Sequence, residues 1–217
     1  MDNQEATQYN EQLFLQYARI GKSLSSERRL EILNLLTNGA KSVETIANNT
    51  GMSVANVSRH LQILLDANLV TYKKQGKYVI YSLASEDVEV FLRALWKISE
   101  NQLSEVSRLK HDFHEDYADV QTISQNDVLE RVANGDMTVL DIRPREEYES
   151  EHIDGALSVP MEDLDTFLLD ASKNSQFAVY CRGPYCIYTT QAVDQMLKQG
   201  FQAYRIEEDV FEWQAAK

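Results

Sequence analysis

Cysteine is scarce in this chain. Only Cys181 and Cys186 occur among its 217 residues, so a disulfide-stapled scaffold is excluded. No run of about 18 apolar residues exists, which excludes an apolar membrane-spanning helix. The start, Met1 to Asn10, is polar and lacks the basic and apolar regions of a signal peptide, so the expected location is cytoplasmic. In a reducing compartment a close thiol pair points to redox, sulfur or metal chemistry before a structural staple. Net positive charge is lacking as well: 21 Lys and Arg stand against 34 Asp and Glu, a balance of −13. Nonspecific phosphate binding by the whole surface is thereby excluded. Internal repeats and low-complexity segments are also missing.

What is present divides in two. The hydrophobic content of 43% suffices for two small cores. Residue usage then changes near position 115: Met1 to Asp116 holds 13 basic and 15 acidic side chains, Tyr117 to Lys217 holds 8 and 19. Inside the first part, Arg28 to Tyr81 carries seven basic residues (Arg28, Arg29, Lys41, Arg59, Lys73, Lys74, Lys77) against Glu31, Glu44 and Asp66. That is a local basic patch in an acidic protein.

Leu13, Phe14, Tyr17 and Ala18 recur at helical spacing, as do Leu30, Leu33 and Leu36 before the stop signal Asn38-Gly39. Ser42 is placed to cap a short helix with Val43, Ile46 and Ala47, ending at Thr50-Gly51. Ser53 is placed to cap a second, with Val54, Val57, Leu61 and Leu64 on one face. Two helices joined by a short Gly-containing turn form a helix-turn-helix pattern. The outer face of the second presents Asn56, Ser58, Arg59, His60 and Gln62, side chains able to reach phosphates and base edges. Leu69 to Tyr81 then alternates apolar and polar residues around Gln75-Gly76, as a β-hairpin does, with Lys73, Lys74 and Lys77 near its tip.

The segment Gly51-Met-Ser-Val-Ala-Asn-Val-Ser-Arg-His-Leu-Gln-Ile-Leu, followed by this Lys-rich hairpin, resembles the ArsR-type family of small repressors over roughly residues 13–110. The resemblance implies a homodimer on double-stranded operator DNA, released by an inducer. Its DNA-contacting set would be Ser53, Asn56, Ser58, Arg59, His60 and Gln62 with the wing lysines Lys73, Lys74 and Lys77. A single helix through Val88, Phe91, Leu92, Leu95, Leu103 and Val106 is expected to serve dimerisation. Many relatives sense metals through cysteines where this chain has Ser42, Val43 and Glu44, so sensing is expected elsewhere. His111 and His114 beside Asp112, Glu115 and Asp116 are read as solvated linker residues, and no metal site is assigned.

In the second half, Ser124 is placed to cap a helix through Val128 and Val132. Thr138 to Ile142 and Phe177 to Tyr180 read as buried strands, and Gln191 to Gln199 as a helix. Strands alternating with helices predict a parallel α/β sheet. A cysteine following such a strand and preceding a helix meets backbone N–H groups and the helix dipole, which predicts a lowered pKa for Cys181. The blocks Asp141-Ile-Arg-Pro-Arg-Glu-Glu-Tyr-Glu-Ser-Glu-His-Ile-Asp-Gly-Ala156 and Val179-Tyr-Cys-Arg-Gly-Pro-Tyr-Cys186 resemble the rhodanese family over roughly residues 120–214. That resemblance implies Cys181 as sulfur acceptor in a cradle with Arg182, Gly183 and Tyr185, and Asp141, Arg143 and His152 as scaffold. Three departures stand out. Cys186 occupies the loop's usual cationic position, which predicts weak use of thiosulfate and supplies a resolving thiol for a persulfide. Ile187 stands where an oxyanion-binding arginine would be, and Glu208-Asp209 replaces a Gly-Gly ahead of Trp213.

The expected architecture is therefore a mainly α winged helix-turn-helix with a β-hairpin wing (1–110), a linker (111–121) and an α/β rhodanese-like domain with a parallel sheet (122–217). The expected function is a repressor that senses sulfane sulfur, as a low-molecular-weight persulfide, or redox state, without cofactor or membrane. Two alternatives stay open: a sulfurtransferase with an autoregulatory DNA-binding domain, and a repressor responding to arsenite or another thiophilic ion.

Overall fold

A computed structural model describes residues 3–183 and 186–215. The chain forms two compact units, one through Leu103 and one from Ser104.

The first unit begins with α1 (Asn3–Leu24) and α2 (Glu27–Leu36), followed by the short β1 (Lys41–Ser42). The helix-turn-helix comprises α3 (Val43–Thr50) and α4 (Val54–Asp66). Both caps fall where the sequence places them: the Ser42 hydroxyl accepts the Thr45 N–H at 3.1 Å and Ser53 accepts the Asn56 N–H at 3.3 Å. Gly51 closes α3 in the left-handed conformation, φ 66°, which a side chain would strain. The wing is β2 (Val70–Gln75) paired antiparallel with β3 (Tyr78–Leu83), turning at Gly76. β1 adds to the other edge of β3. Ile32, Leu33, Ile46, Val57, Leu61, Leu64 and Leu92 make one core.

The single long helix expected past Leu103 is instead two. α5 (Glu86–Gln102) stops where Leu103 turns extended, and α6 (Ser104–Glu115) begins at the next residue. Leu103 is exposed, so no packing opposes the break. α6 occupies part of the segment read as linker.

The second unit continues with α7 (Gln125–Ala133), β4 (Met137–Asp141), α8 (Arg145–Ser150) and β5 (Leu157–Ser158). Then come α9 (Leu164–Asp170), β6 (Gln176–Tyr180), α10 (Ile187–Lys198), β7 (Gln202–Arg205) and α11 (Val210–Ala215). The four strands form a parallel sheet in the order β5-β4-β6-β7. Strand alternation sorts its side chains between two cores. Leu140, Ile142, Phe177, Val179 and Cys181 face α9 and α10 residues such as Leu164, Leu168, Val193 and Met196. Met137, Val139, Ala178 and Tyr180 face Val128, Ile153, Val210 and Trp213. Tyr180 and Cys181 are adjacent in sequence and serve opposite faces.

At the carboxyl ends of β4 and β6 lies a fully buried carboxylate. Arg143 grips Asp141 with Nε at 3.0 Å from Oδ1 and Nη2 at 2.6 Å from Oδ2. The Tyr180 hydroxyl donates to Oδ2 at 2.6 Å and accepts the Ile153 N–H at 3.1 Å. Burial, then the neighbouring carboxylate, holds the Tyr180 phenol well above its usual range, so its proton stays in this bond. Asp141→Ala is expected to cost the second unit roughly 3–5 kcal/mol, because it strands a buried guanidinium. Urea unfolding followed by Trp213 fluorescence checks this, and a loss under about 1 kcal/mol would contradict it.

Candidate sulfur site and DNA-facing surface

Cys181 follows β6 directly, at the carboxyl end of the sheet where open α/β folds place their ligands. Its side of the strand points into the core, and it is 3% exposed. The chain then turns back sharply: Gly183 adopts φ 83°, and its carbonyl accepts the Cys186 N–H at 3.1 Å. Cys186 thereby becomes the N-cap of α10, half-buried, with its sulfur 2.8 Å from that of Cys181. A disulfide would close that separation to about 2.05 Å. Tyr185, expected in the cradle, lies outside the described residues, as does Pro184.

The pair's acidity reverses the expectation for Cys181. Its thiol is pushed up, first by holding the proton shared with Cys186 and then by burial. Cys186 is instead pulled down to about 6, first by the Cys181 thiol and against its own burial, which pushes it up.

Arg182 does not lend a bare cation to the loop. Nearly buried, it forms a bidentate pair with the buried Glu147 of α8, Nη2 to Oε1 at 2.6 Å and Nε to Oε2 at 3.0 Å. Nothing in the sequence singles out Glu147; it is one of several acidic residues in a charged run, and only its burial marks it. The replacement at Glu208-Asp209 has a visible result too. Asp209 is buried, its Oδ1 accepts the Glu212 N–H at 2.9 Å, and its side chain lies 3.4 Å from where a Cβ on Gly183 would sit. Two carboxylates thus border a loop that in the family pattern ends in a cation. His152 stacks on Tyr148 with ring centroids 3.9 Å apart, and its Nδ1 lies 2.9 Å from the Tyr148 carbonyl. This fits a scaffold role.

On α4, Ser53, Asn56, Ser58, Arg59 and Gln62 lie on the outer side, with Asn56 half-buried and the others exposed. Some of their hydrogen-bonding capacity is engaged within the chain: Ser53 caps the helix, Ser58 donates to the Val54 carbonyl at 2.8 Å, and Gln62 donates to Asp66 at 2.8 Å. His60 is half-buried, with Nδ1 inside and without a hydrogen-bond partner. Burial, then Arg29, Arg59 and Arg28, lowers its pKa. The same shift reports a cluster of cations near α4 to which α2 contributes Arg28 and Arg29. Lys73, Lys74 and Lys77 are exposed on the wing. As strand neighbours, Lys73 and Lys74 point to opposite faces.

Among the described residues, no group of three or more His, Cys, Asp or Glu is arranged to hold a metal ion. His111 on α6 pairs with Glu115 at 3.2 Å, and the His114 side chain lies outside the described residues. Among the described residues, no helix is long and apolar enough to cross a membrane.

Residues 26–72 match the model of the bacterial regulatory protein, arsR family, and residues 124–216 match the rhodanese-like domain. The chain is 34% identical to the HTH-type transcriptional regulator Rv0324 of Mycobacterium tuberculosis over 201 residues, covering 93% of this chain and 88% of that protein. The chain belongs to the ArsR family of transcriptional regulators. This ArsR-family regulator carries a rhodanese-like domain after its DNA-binding part. The arsenical resistance operon repressor of Bacillus subtilis is 34% identical over 82 residues, 37% of this chain and 78% of that one. The thiosulfate sulfurtransferase GlpE of Coxiella burnetii is 35% identical over 80 residues, 36% of this chain and 72% of that one.

Because the Glu147 carboxylate occupies the Arg182 guanidinium, Glu147→Gln is expected to raise the rate of sulfur uptake from thiosulfate at least about threefold by restoring local positive charge. Stopped-flow measurement of sulfite release on mixing the reduced protein with thiosulfate checks this, and an unchanged or slower rate would refute it.

Proposed function

We propose that this ArsR-family regulator is a repressor whose grip on operator DNA is set by the chemical state of the Cys181/Cys186 pair, with sulfane sulfur of a low-molecular-weight persulfide as the signal. The observation that carries the reading is the 2.8 Å approach of the chain's two thiols at the ligand-binding end of the rhodanese-like sheet. Its DNA-reading part holds no thiol, so a thiol-borne signal has to arise in the other domain. A reducing cytoplasmic setting keeps both sulfurs available.

Operator contact falls to Ser53, Asn56, Ser58, Arg59, His60 and Gln62 of α4 and to Lys73, Lys74 and Lys77 of the wing. Arg59 and Gln62 extend from the exposed face and suit the major groove, while the lysines suit phosphates. His60 enters mainly as a neutral, half-buried positioning group. The partner in DNA binding is a second copy of the chain. Phe14, Leu15 and Tyr17 of α1 and Val90, Phe91 and Ile98 of α5 are exposed in the single chain and are large apolar side chains that a homodimer would cover.

The test uses an operator selected in vitro by the full-length protein. Glutathione persulfide is expected to change operator affinity by at least about tenfold, a coupling of about 1.4 kcal/mol. Cys181→Ser and Cys186→Ser should each abolish the response while binding DNA normally. Unchanged affinity of the wild type, or an undiminished response in both variants, refutes the proposal. For contact by the wing, Lys73→Ala and Lys74→Ala should each weaken binding to all sequences and reduce the slope of log affinity against log salt by up to about 1. An unchanged slope in both would remove the wing from the interface.

The likeness to a thiosulfate sulfurtransferase favours a second reading, catalytic sulfur transfer, over part of the chain. Counting products separates the two. One sulfur taken up per chain without turnover supports sensing, and many turnovers support catalysis. Capture of a thiophilic ion such as arsenite ranks third, because two thiolates supply few ligands.

A further inference from the structure

We infer that Val54 is a specificity-determining residue of the DNA reader, and that it reads the 5-methyl group of a thymine in each half of the operator. The assignment rests on α4 as the helix that enters the major groove.

A side chain lies where the sequence pattern does not put it. Helical spacing groups Val54 with Val57, Leu61 and Leu64 on the inner face of α4, and those three are fully buried. Val54 is instead 46% exposed in the first turn, and its neighbour Ala55 is exposed beside it. Polar groups around them are already engaged. The Ser53 hydroxyl accepts the Asn56 N–H at 3.3 Å, the Ser58 hydroxyl gives its proton to the Val54 carbonyl at 2.8 Å, and Gln62 donates to Asp66 at 2.8 Å. The start of α4 therefore offers a partner largely methyl surface.

The surroundings say what that partner is. A recognition helix meets base edges with its N-terminal residues. At the far end of α4 the Asp66 carboxylate would oppose phosphates, which leaves the first turn as the end that goes in. Cations stand nearby: Arg59 lies on α4, and Arg28 and Arg29 of α2 are close enough to act on His60. In the major groove the base pairs present hydrogen-bond donors and acceptors and one apolar group, the thymine C5-methyl. A valine gains nothing from a donor or acceptor edge, whereas valine against methyl removes apolar surface from water on both sides. Because a helical valine holds essentially one χ1 rotamer, its two methyls keep a fixed direction, and the contact discriminates between bases.

The deciding experiment uses the full-length protein and an operator that it selects in vitro. Symmetry-related thymines are replaced, one pair of positions at a time, by deoxyuridine, which deletes the 5-methyl and keeps base pairing. At one such position the wild type is expected to lose at least about threefold in affinity per half-site, as for roughly one buried methyl, measured by fluorescence anisotropy at fixed salt. Val54→Ala should bind the thymine operator more weakly by a similar factor and bind thymine and deoxyuridine versions equally, with its salt dependence unchanged. A merely structural role for Val54 would weaken both versions alike and keep their ratio, which overturns the assignment. The absence of any thymine whose methyl matters overturns it too. Arg59→Ala separates this failure from that of the docking. If Arg59→Ala weakens binding while no methyl matters, only the assignment of Val54 fails; if neither changes affinity, α4 lies outside the groove and both fail.

Discussion

The Asp141 carboxylate is the fixed point of the second unit. It ends β4 with no exposure to solvent and is met by the Arg143 guanidinium, the Arg143 backbone N–H and the Tyr180 hydroxyl. A buried carboxylate is tolerable only when fully paired, and this one is paired across three segments. Arg143 also reaches the Glu151 carbonyl at 2.7 Å, and Tyr180 holds the Ile153 N–H, so the segment after α8 is tied to the end of β6. Since Cys181 is the next residue after Tyr180, the first sulfur of the pair inherits its position from this network. The alternation of the strand does the rest, sending Tyr180 to the clamp and Cys181 to the opposite core.

A second buried pair sets the character of the site rather than its position. Arg182 and Glu147 neutralise each other next to the sulfurs, and removing either partner would leave a charge in a poorly solvated place. Such pairs contribute little net stability compared with an apolar replacement. What this one does is fix the local field. An arginine committed to a carboxylate lends little attraction to an anionic donor, and Asp209, which packs on the left-handed Gly183, adds repulsion.

Much of this is legible from sequence because the signals are local and strong. The caps at Ser42, Ser53 and Ser124, the stops at Gly51 and Gly135, and the turn at Gly76 each announce themselves through side-chain chemistry or the need for positive φ. The elements that escape are short: β5 has two residues and β7 four, too few to display a period, and both are defined by partners distant in sequence. The break at Leu103 escapes because an amphipathic stripe continues across it, and the pattern does not record that Leu103 stays exposed. Glu147 is hidden for a related reason. In a run of acidic residues only tertiary burial distinguishes the one that pairs with Arg182.

The two sulfurs meet for a reason that lies in the backbone. Cys181 continues the inner face of β6 into the core, whereas the turn at Gly183 brings the chain back so that Cys186 stands at the cap of α10, half-buried and with its sulfur 2.8 Å away. Strand alternation fixes the first position and the left-handed Gly183 the second, so the contact between the thiols is set by the loop and not by the sulfurs themselves. A disulfide would draw the sulfurs from 2.8 Å to about 2.05 Å, a shift small enough for the loop to absorb while the sheet and its buried Asp141 clamp stay in place.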